Sequence, residues 1–309
     1  MNHKRIPTSN KLPTFTTFIT TVSYVPGVVC LAKSLRLFQI NLPVLVVYTN
    51  KTVKDELEKQ DISSIIRIHL IPIKAQTDHE SSQTHNGVGA LLHVDSPRRI
   101  LFRSKKPFIY LDADLLCVSN PVEPFVKVVE QMKALDGITV AACTAFRLKT
   151  KQYNKGNKKG FNAGVIVCLS CSEEDNIKID AAVAKAMEET MNNPKNATTE
   201  ERILSEVFKE RYLPLDAEFN LIKRVFKHSP KLWSKIKDFA IFVHYMGGKP
   251  WQSNEEKKLC DWDHEGYEVL EDFWHKVYSD QFLTGKELTE AFVLLQNPHN
   301  VLTAEGNQS

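Results

Sequence analysis

The sequence predicts an α/β fold organised on a parallel sheet, and three observations carry that reading. Through residues 15–72, apolar β-branched runs alternate with helically spaced segments, and a βαβαβ order requires parallel strands joined by right-handed crossovers. Phe108-Ile109-Tyr110-Leu111 is a continuous hydrophobic run, the mark of a strand covered on both faces. That run leads straight into Asp112-Ala113-Asp114, and open α/β sheets place their ligands beyond the carboxyl ends of strands.

In chain order, Phe15–Thr21 is the first strand, and Tyr24–Phe38 carries Val25, Val28, Val29, Ala32, Leu35 and Phe38 at helical spacing. Leu42–Thr49 is a second strand, Val53–Gln60 a short charged helix, and Ile65–Ile71 a third strand closed by Pro72. Residues 74–95 are polar; His79, His85 and His93 are spaced too widely for a compact metal site, so the stretch reads as a loop. Pro97–Ser104 is a short helix leading to the central strand. Beyond the aspartates, Asn120-Pro121 turns the chain, Val122–Leu135 is helical and Ile138–Cys143 is a strand. A basic loop, Lys149–Lys159, precedes Gly160-Phe161-Asn162-Ala163-Gly164 and a buried strand at Val165–Leu169. Asn162 reads as a turn asparagine, with a hydrogen bond to a sugar hydroxyl as the alternative. Ile179–Met191 is an amphipathic helix. Thr198-Thr199-Glu200-Glu201 has capping-box spacing ahead of Ile203, Leu204, Val207 and Phe208, so Glu201 reads as a helix cap. A last buried strand runs from Phe239 to His244, and residues 261–296 read as helices.

The bulk properties exclude more than they select. The chain has 309 residues, 42% hydrophobic and 25% charged, with net charge +3, which is ordinary for a globular protein. It lacks the concentrated basic face of a nucleic-acid binder. No segment approaches the roughly 18 apolar residues of a membrane span. Residues 1–13 are polar, broken by Pro7 and Pro13, and are expected to be disordered. Six scattered cysteines, four in apolar segments, read as reduced core thiols, which points to the cytoplasm.

The chemistry lies in the strand ends. Two carboxylates on alternate residues of an extended segment share a face, and left unpaired at a core edge they repel, so a cation belongs between them; the alternative is a strand that ends in two solvated aspartates, one of them capping a turn. A hard divalent ion such as Mg²⁺ or Mn²⁺, shared with a diphosphate, meets that need. His244 at another strand end can complete the site. The following Gly247, Gly248 and Lys249 suit phosphate oxygens, the glycines by close backbone approach and the lysine by charge.

Four blocks give the chain a family resemblance. They are Phe15–Arg36 with its Tyr24-Val25-Pro26-Gly27 core, Tyr110–Asp114, Phe161–Gly164, and His244-Tyr245 through Lys249-Pro250-Trp251. In that order they resemble family 8 of the retaining glycosyltransferases, the group of glycogenin and galactinol synthase, with the first block closer to the latter. The resemblance implies a glycosyltransferase A fold: a Rossmann-like mixed sheet flanked by helices, forming a catalytic domain over residues 14–260 with a helical extension at 261–309. It implies a UDP-sugar donor, a hydroxyl acceptor (small polyol, glycan or protein) and Mn²⁺ or Mg²⁺ held by Asp112, Asp114 and His244, and it leaves a homodimer open. By position, Thr20, Thr21 and Tyr24 would hold the uridine, Gly247 and Lys249 the diphosphate, and Asn162 the donor sugar, with Ala113 and Ala163 beside them. Glu200 and Glu201 stand where relatives carry an acidic residue followed by glutamine at the sugar's reacting face, which makes them the candidate catalytic carboxylates. The chain departs from the pattern in three ways. Its phosphate loop is one residue shorter. Ser96 stands where a basic donor-binding residue is usual, with Arg98 and Arg99 as substitutes. Residues 221–238 contain no tyrosine, which speaks against self-glucosylation.

Overall fold

The structure, a computed structural model, describes residues 12–295 apart from 20, 41–43, 49–50, 61–67, 73–100, 105, 148–150, 154–159, 193–199 and 210. The first three apolar runs become β1 (Thr14–Ile19), β2 (Val44–Tyr48) and β3 (Ile68–Pro72), with α1 (Val25–Leu37) and α2 (Lys51–Lys59) between them. They pair in parallel in the order β1-β2-β3, the arrangement read from the sequence. The central run is β4 (Phe108–Leu111), whose four residues are all buried. There follow β5 (Leu115–Cys117), α3 (Val122–Ala134), β6 (Val140–Thr144), the short hairpin β7 (Phe146–Arg147) and β8 (Gln152–Tyr153), and β9 (Phe161–Cys168). The rest comprises α4 (Glu173–Asn192), α5 (Glu200–Val207), β10 (Tyr212–Leu215), β11 (Leu221–Ile222), α6 (Lys223–His228), α7 (Pro230–Ile236), β12 (Phe242–His244), α8 (Asn254–Cys260), α9 (Glu268–Tyr278) and α10 (Gly285–Val293).

Seven strands form one sheet in the order β10-β6-β9-β4-β1-β2-β3. β9 runs antiparallel to both of its neighbours, so the sheet is mixed and not wholly parallel. A small second sheet, β11-β12-β5, stands at its edge. There β12 lies antiparallel to β5 with His244 opposite Leu115, which brings the last strand back to the residues just after Asp114.

Local chemistry moves two element boundaries from their expected places. α4 starts at Glu173, well before Ile179, because Ser172 and Asp175 cap it reciprocally: Ser172 N–H donates to Asp175 Oδ2 at 3.2 Å, and Asp175 N–H donates to Ser172 Oγ at 3.0 Å. β9 begins at Phe161, four residues early, and takes in Asn162 by a register shift against β6 between Ala142 and Cys143. Asn162 is therefore a strand residue beside an irregular pairing, not a turn asparagine. Of the helix expected at 97–104, the described residues 101–103 are helical. The expected histidine loop at 74–95 lies outside the described residues.

Three apolar clusters fill the fold, two against the large sheet and a third around the C-terminal helices. The third ties 261–295 to the rest. Cys30 Sγ contacts Trp274 O at 3.8 Å, and Lys33 Nζ donates to Tyr278 O and to Asp280 Oδ2 at 2.6 Å. All six cysteines are free, and five are buried. Among the described residues no helix is long and apolar enough to cross a membrane.

Gly27, in the first turn of α1, lets that helix touch the site. A Cβ there would lie 2.6 Å from the Trp251 ring and would strike the Ala113 carbonyl oxygen. Gly27→Ala gains about 1 kcal/mol of helix propensity but overpacks a contact with backbone, which costs about 1–3 kcal/mol or more. The variant is expected to melt below the wild type in calorimetry, against the direction that propensity alone gives.

Candidate active site

β4 ends at Leu111 and the chain turns at once. Leu115 N–H donates to Asp112 O at 3.2 Å, so Asp112-Ala113-Asp114 is a tight turn and not the extended segment that would align alternate carboxylates. The two aspartates converge because β12 arrives beside them. Tyr245 N–H donates to Asp114 O at 3.0 Å, which puts His244 Nε2 3.2 Å from Asp114 Oδ1 and 3.6 Å from Asp112 Oδ2. One atom of each of the three residues falls within 4.8 Å of the others. Two carboxylate oxygens and an imidazole nitrogen suit a divalent ion of the Mn²⁺ or Mg²⁺ kind.

The second polar atom of every ligand is also engaged. Tyr110 OH donates to Asp112 Oδ1 at 2.6 Å, Lys249 Nζ donates to Asp114 Oδ2, and His244 Nδ1 faces Asn220 Oδ1 at 2.8 Å. Such outer contacts orient ligands and tune their basicity. Gly164 supplies the room: a Cβ there would lie 2.5 Å from His244 Cε1. Its carbonyl accepts from Asp112 N–H at 2.8 Å, so the glycine of the Phe161–Gly164 block serves the aspartates and the histidine alike.

Asn162 and Glu201 meet beside this centre. Asn162 Nδ2 donates to Glu201 Oε1 at 2.8 Å, and Ala163 N–H donates to the same oxygen at 3.0 Å. Glu201, in the first turn of α5, thus reaches across to β9, a role that its capping-box spacing concealed; Thr198 and Thr199 lie outside the described residues. Glu200 opens α5. Asn162 Oδ1 accepts from Gly164 N–H at 2.9 Å and from Asn220 Nδ2 at 2.6 Å.

Charge is balanced inside the site. Burial works to raise the pKa of Asp114, but the charges of Lys249 and His244 overcome it and hold the carboxyl far below its usual range. For Lys249 burial pulls the other way and is outweighed by Asp114 and Tyr24, so its ammonium is held above its ordinary pKa. Tyr24, half-buried, sits edge-on to Trp251 with Lys249 Nζ 5.5 Å from its ring centroid. Lys249 lowers the Tyr24 pKa, yet burial and the two aspartates leave it raised. Thr21 is exposed, its hydroxyl 2.6 Å from that of Ser23. Thr20, Ser96, Arg98 and Arg99 lie outside the described residues.

The Gly247-Gly248-Lys249 loop is held from beneath. Gly247 has φ +78°, where a Cβ would run into Asp261. Gly248 N–H donates to Asp261 Oδ2 at 3.0 Å, and its carbonyl accepts from Lys223 Nζ. Arg224 pairs with Asp261 Oδ1 at 2.8 Å. Lys223 is fully buried, and burial together with the charge of Lys249 lowers its pKa to about 8. Sequence reasoning passed over Tyr110, Asn220, Lys223 and Asp261 as functional residues. The one available signal was a polar residue among apolar ones, as with Asn220 between Phe219 and Leu221.

The comparisons with known proteins bear on the family and the fold. A family model described as glycosyl transferase family 8 matches residues 16–255. The chain belongs to glycosyltransferase family 8. The match takes in all four sequence blocks but for the first residue of the first, and it stops short of Asp261. No curated protein sequence matches the chain. Among solved structures the fold resembles WbbM, a bifunctional glycosyltransferase (TM-score 0.50, 15% identity, 93% of this chain and 52% of that one). It also resembles GlyE of Streptococcus pneumoniae (TM-score 0.49, 16% identity, 90% and 63%) and the galactosyltransferase LgtC solved with donor and acceptor sugar analogs (TM-score 0.47, 15% identity, 86% and 95%). The chain therefore spans less than two thirds of GlyE and about half of WbbM. The architecture is of the glycosyltransferase A type.

Two predictions follow from this geometry. Tyr110→Phe keeps the buried ring and removes one outer contact, so divalent-ion affinity measured by calorimetric titration is expected to fall about 10-fold or more with the fold intact. Lys223 titrates near 8 when folded and near 10.5 when unfolded, so the unfolded state binds more protons between those values and stability rises with pH across that window. Urea unfolding at pH 7.5 and 10 is expected to show this rise relative to Lys223→Met, which lacks the group.

Proposed function

We propose that this family 8 member is a retaining hexosyltransferase that moves galactose or glucose from a UDP-sugar to a hydroxyl acceptor, with Mn²⁺ or Mg²⁺ held by Asp112, Asp114 and His244. The observation that carries this reading is the convergence of three ligand atoms whose partner atoms are each fixed by a neighbour. Breaking the anomeric bond builds positive charge on the sugar and negative charge on the diphosphate. A divalent ion in this site supplies Lewis-acid neutralisation of that leaving group. Lys249, already charged and buried beside Asp114, adds a second cation from the protein itself. Tyr24 and Trp251 offer the aromatic surface for uracil, while Asn162 and Glu201 border the sugar. Glu201 is our candidate for stabilising the positive charge, with Glu200 beside it.

The galactinol synthase-like first block favours transfer of galactose to a small polyol; glycogenin-like glucosylation is the second reading, weakened by the lack of tyrosine in residues 221–238. The six unpaired thiols support a cytoplasmic setting.

The test is UDP release from a panel of UDP-sugars with Mn²⁺, comparing the wild type with Asp114→Asn and Glu201→Gln. Release from one donor by the wild type, abolished in Asp114→Asn and reduced about 100-fold or more in Glu201→Gln, is the expected result. Metal-dependent UDP binding without turnover of any donor, across an acceptor panel that includes polyols and glycans, would replace the transferase with a UDP-sugar binder.

A further inference from the structure

We propose that Asn220 is a positioning residue that fixes the tautomer of His244 and locks it to the sugar-side pair Asn162–Glu201. The inference rests on the reading of Asp112, Asp114 and His244 as a cation site. Asn220 and Asn162 lie in a chain of hydrogen bonds whose direction is set at both ends. Gly164 N–H can only donate, and it meets Asn162 at 2.9 Å, so the atom facing it is the amide oxygen. The other end of that side chain then presents Nδ2 to the Glu201 carboxylate at 2.8 Å, as a carboxylate acceptor requires. Because Asn162 offers oxygen towards Asn220 at 2.6 Å, Asn220 must answer with Nδ2. Its own oxygen therefore points at His244 Nδ1, 2.8 Å away. An oxygen there admits only a protonated Nδ1, so Nε2 is the nitrogen left to face Asp112 and Asp114 and the one that can give up a proton to a cation between them. That is the nitrogen a cation needs.

Burial closes the alternatives. Asn162 is 3% exposed, Asn220 0% and His244 3%, so water has no access to replace a lost partner in the chain. Reversing one amide would set like against like at the next link, an arrangement that leaves buried polar atoms unpaired. The tautomer of His244 is thus written by a main-chain N–H in β9, relayed through two amides. The same relay makes the ligand and the sugar-side carboxylate parts of one rigid unit.

The experiment uses the full chain labelled with ¹⁵N-histidine, the His244 signals being those lost in His244→Gln. The expected spectrum of the wild type shows a proton on His244 Nδ1 with and without added Mg²⁺, and a bare Nε2 once Mg²⁺ is bound. Asn220→Ala is expected to lose that preference and to weaken Mn²⁺ binding about 10- to 100-fold in calorimetric titration, with its far-ultraviolet circular dichroism unchanged. Asn220→Asp keeps an acceptor towards Nδ1 but sets an oxygen against Asn162 Oδ1, so it is expected to keep the Nδ1 proton while releasing Asn162 from the relay. A wild-type His244 bare at Nδ1 would overturn the proposal, and that measurement needs no variant at position 220. So would an Asn220→Ala protein with wild-type tautomer and affinity, or an aspartate variant that leaves Nδ1 bare. If the tautomer is as expected but the wild type binds no Mn²⁺, the cation-site reading fails while the role of Asn220 in setting the ring stands.

Discussion

The constraint on which the structure depends is the meeting of Asp112, Asp114 and His244 at the inner edge of the sheet. Three atoms that each favour a positive partner are brought within 4.8 Å of one another, and Asp114 is buried in the process. Burying a carboxylate is expensive unless a charge and hydrogen bonds compensate it. Lys249 supplies that charge, and it is itself buried, so neither partner of the pair can be removed without stranding the other. The small β11-β12-β5 sheet exists at the one place where His244 and Lys249 can both be delivered to the turn after β4.

Holding Lys249 there requires a loop that does not yield, and the C-terminal helices provide the brace. Tyr245 OH donates to Leu270 O at 2.8 Å, His275 Nε2 meets Pro250 O at 3.1 Å, and Asp261 takes Gly248 N–H. Trp251 packs against Trp274 with ring centroids 5.3 Å apart. Asp261, Leu270, Trp274 and His275 all lie beyond the residues shared with the family model, which end at 255. The extension for which the sequence suggested no role is thus the underside of the site. A buried lysine and a buried aspartate beneath the Gly247–Lys249 loop look misplaced until Arg224 is counted. It neutralises Asp261, so the charge left beneath the loop is that of Lys223, whose Nζ donates to Gly248 O.

Legibility in the sequence followed the range of the interactions. The strands β1, β2, β4 and β12 and helices α1 and α3 could be read because their apolar pattern is local, and burial of that pattern drives their packing. The two aspartates, His244 and Lys249 stood out because charged residues that directly follow apolar runs are unusual. The relay through Asn220 could not be read, because its partners lie 24 and 58 residues away and nothing in a single asparagine encodes a pairing over that distance. The reach of Glu201 to β9 was hidden for a related reason. Capping-box spacing is a local signal and a sound one, but here the carboxylate also answers to Asn162 and Ala163, neighbours set only by the register shift in β9. Asn162 itself was hidden by composition, since asparagine among small residues resembles a turn wherever it occurs.

On the proposed function, the bonds on Glu201 bear on the two ways in which a carboxylate could assist a retaining transfer. One of its oxygens accepts two N–H bonds, from Asn162 Nδ2 and Ala163 N. Trapping the sugar covalently through that oxygen would require it to leave both donors as the new bond formed. Hydrogen bonds to a carboxylate also drain the charge that makes it a nucleophile, because they stabilise its ionised form. Stabilising a positive charge from a fixed position asks for no such movement and gains from the rigidity that Asn162 and β9 impose. Under the proposed function, the two bonds on Oε1 therefore suit Glu201 as a stationary counter-charge better than as a nucleophile attacking through that oxygen, with Asn162 and Asn220 linking it to His244.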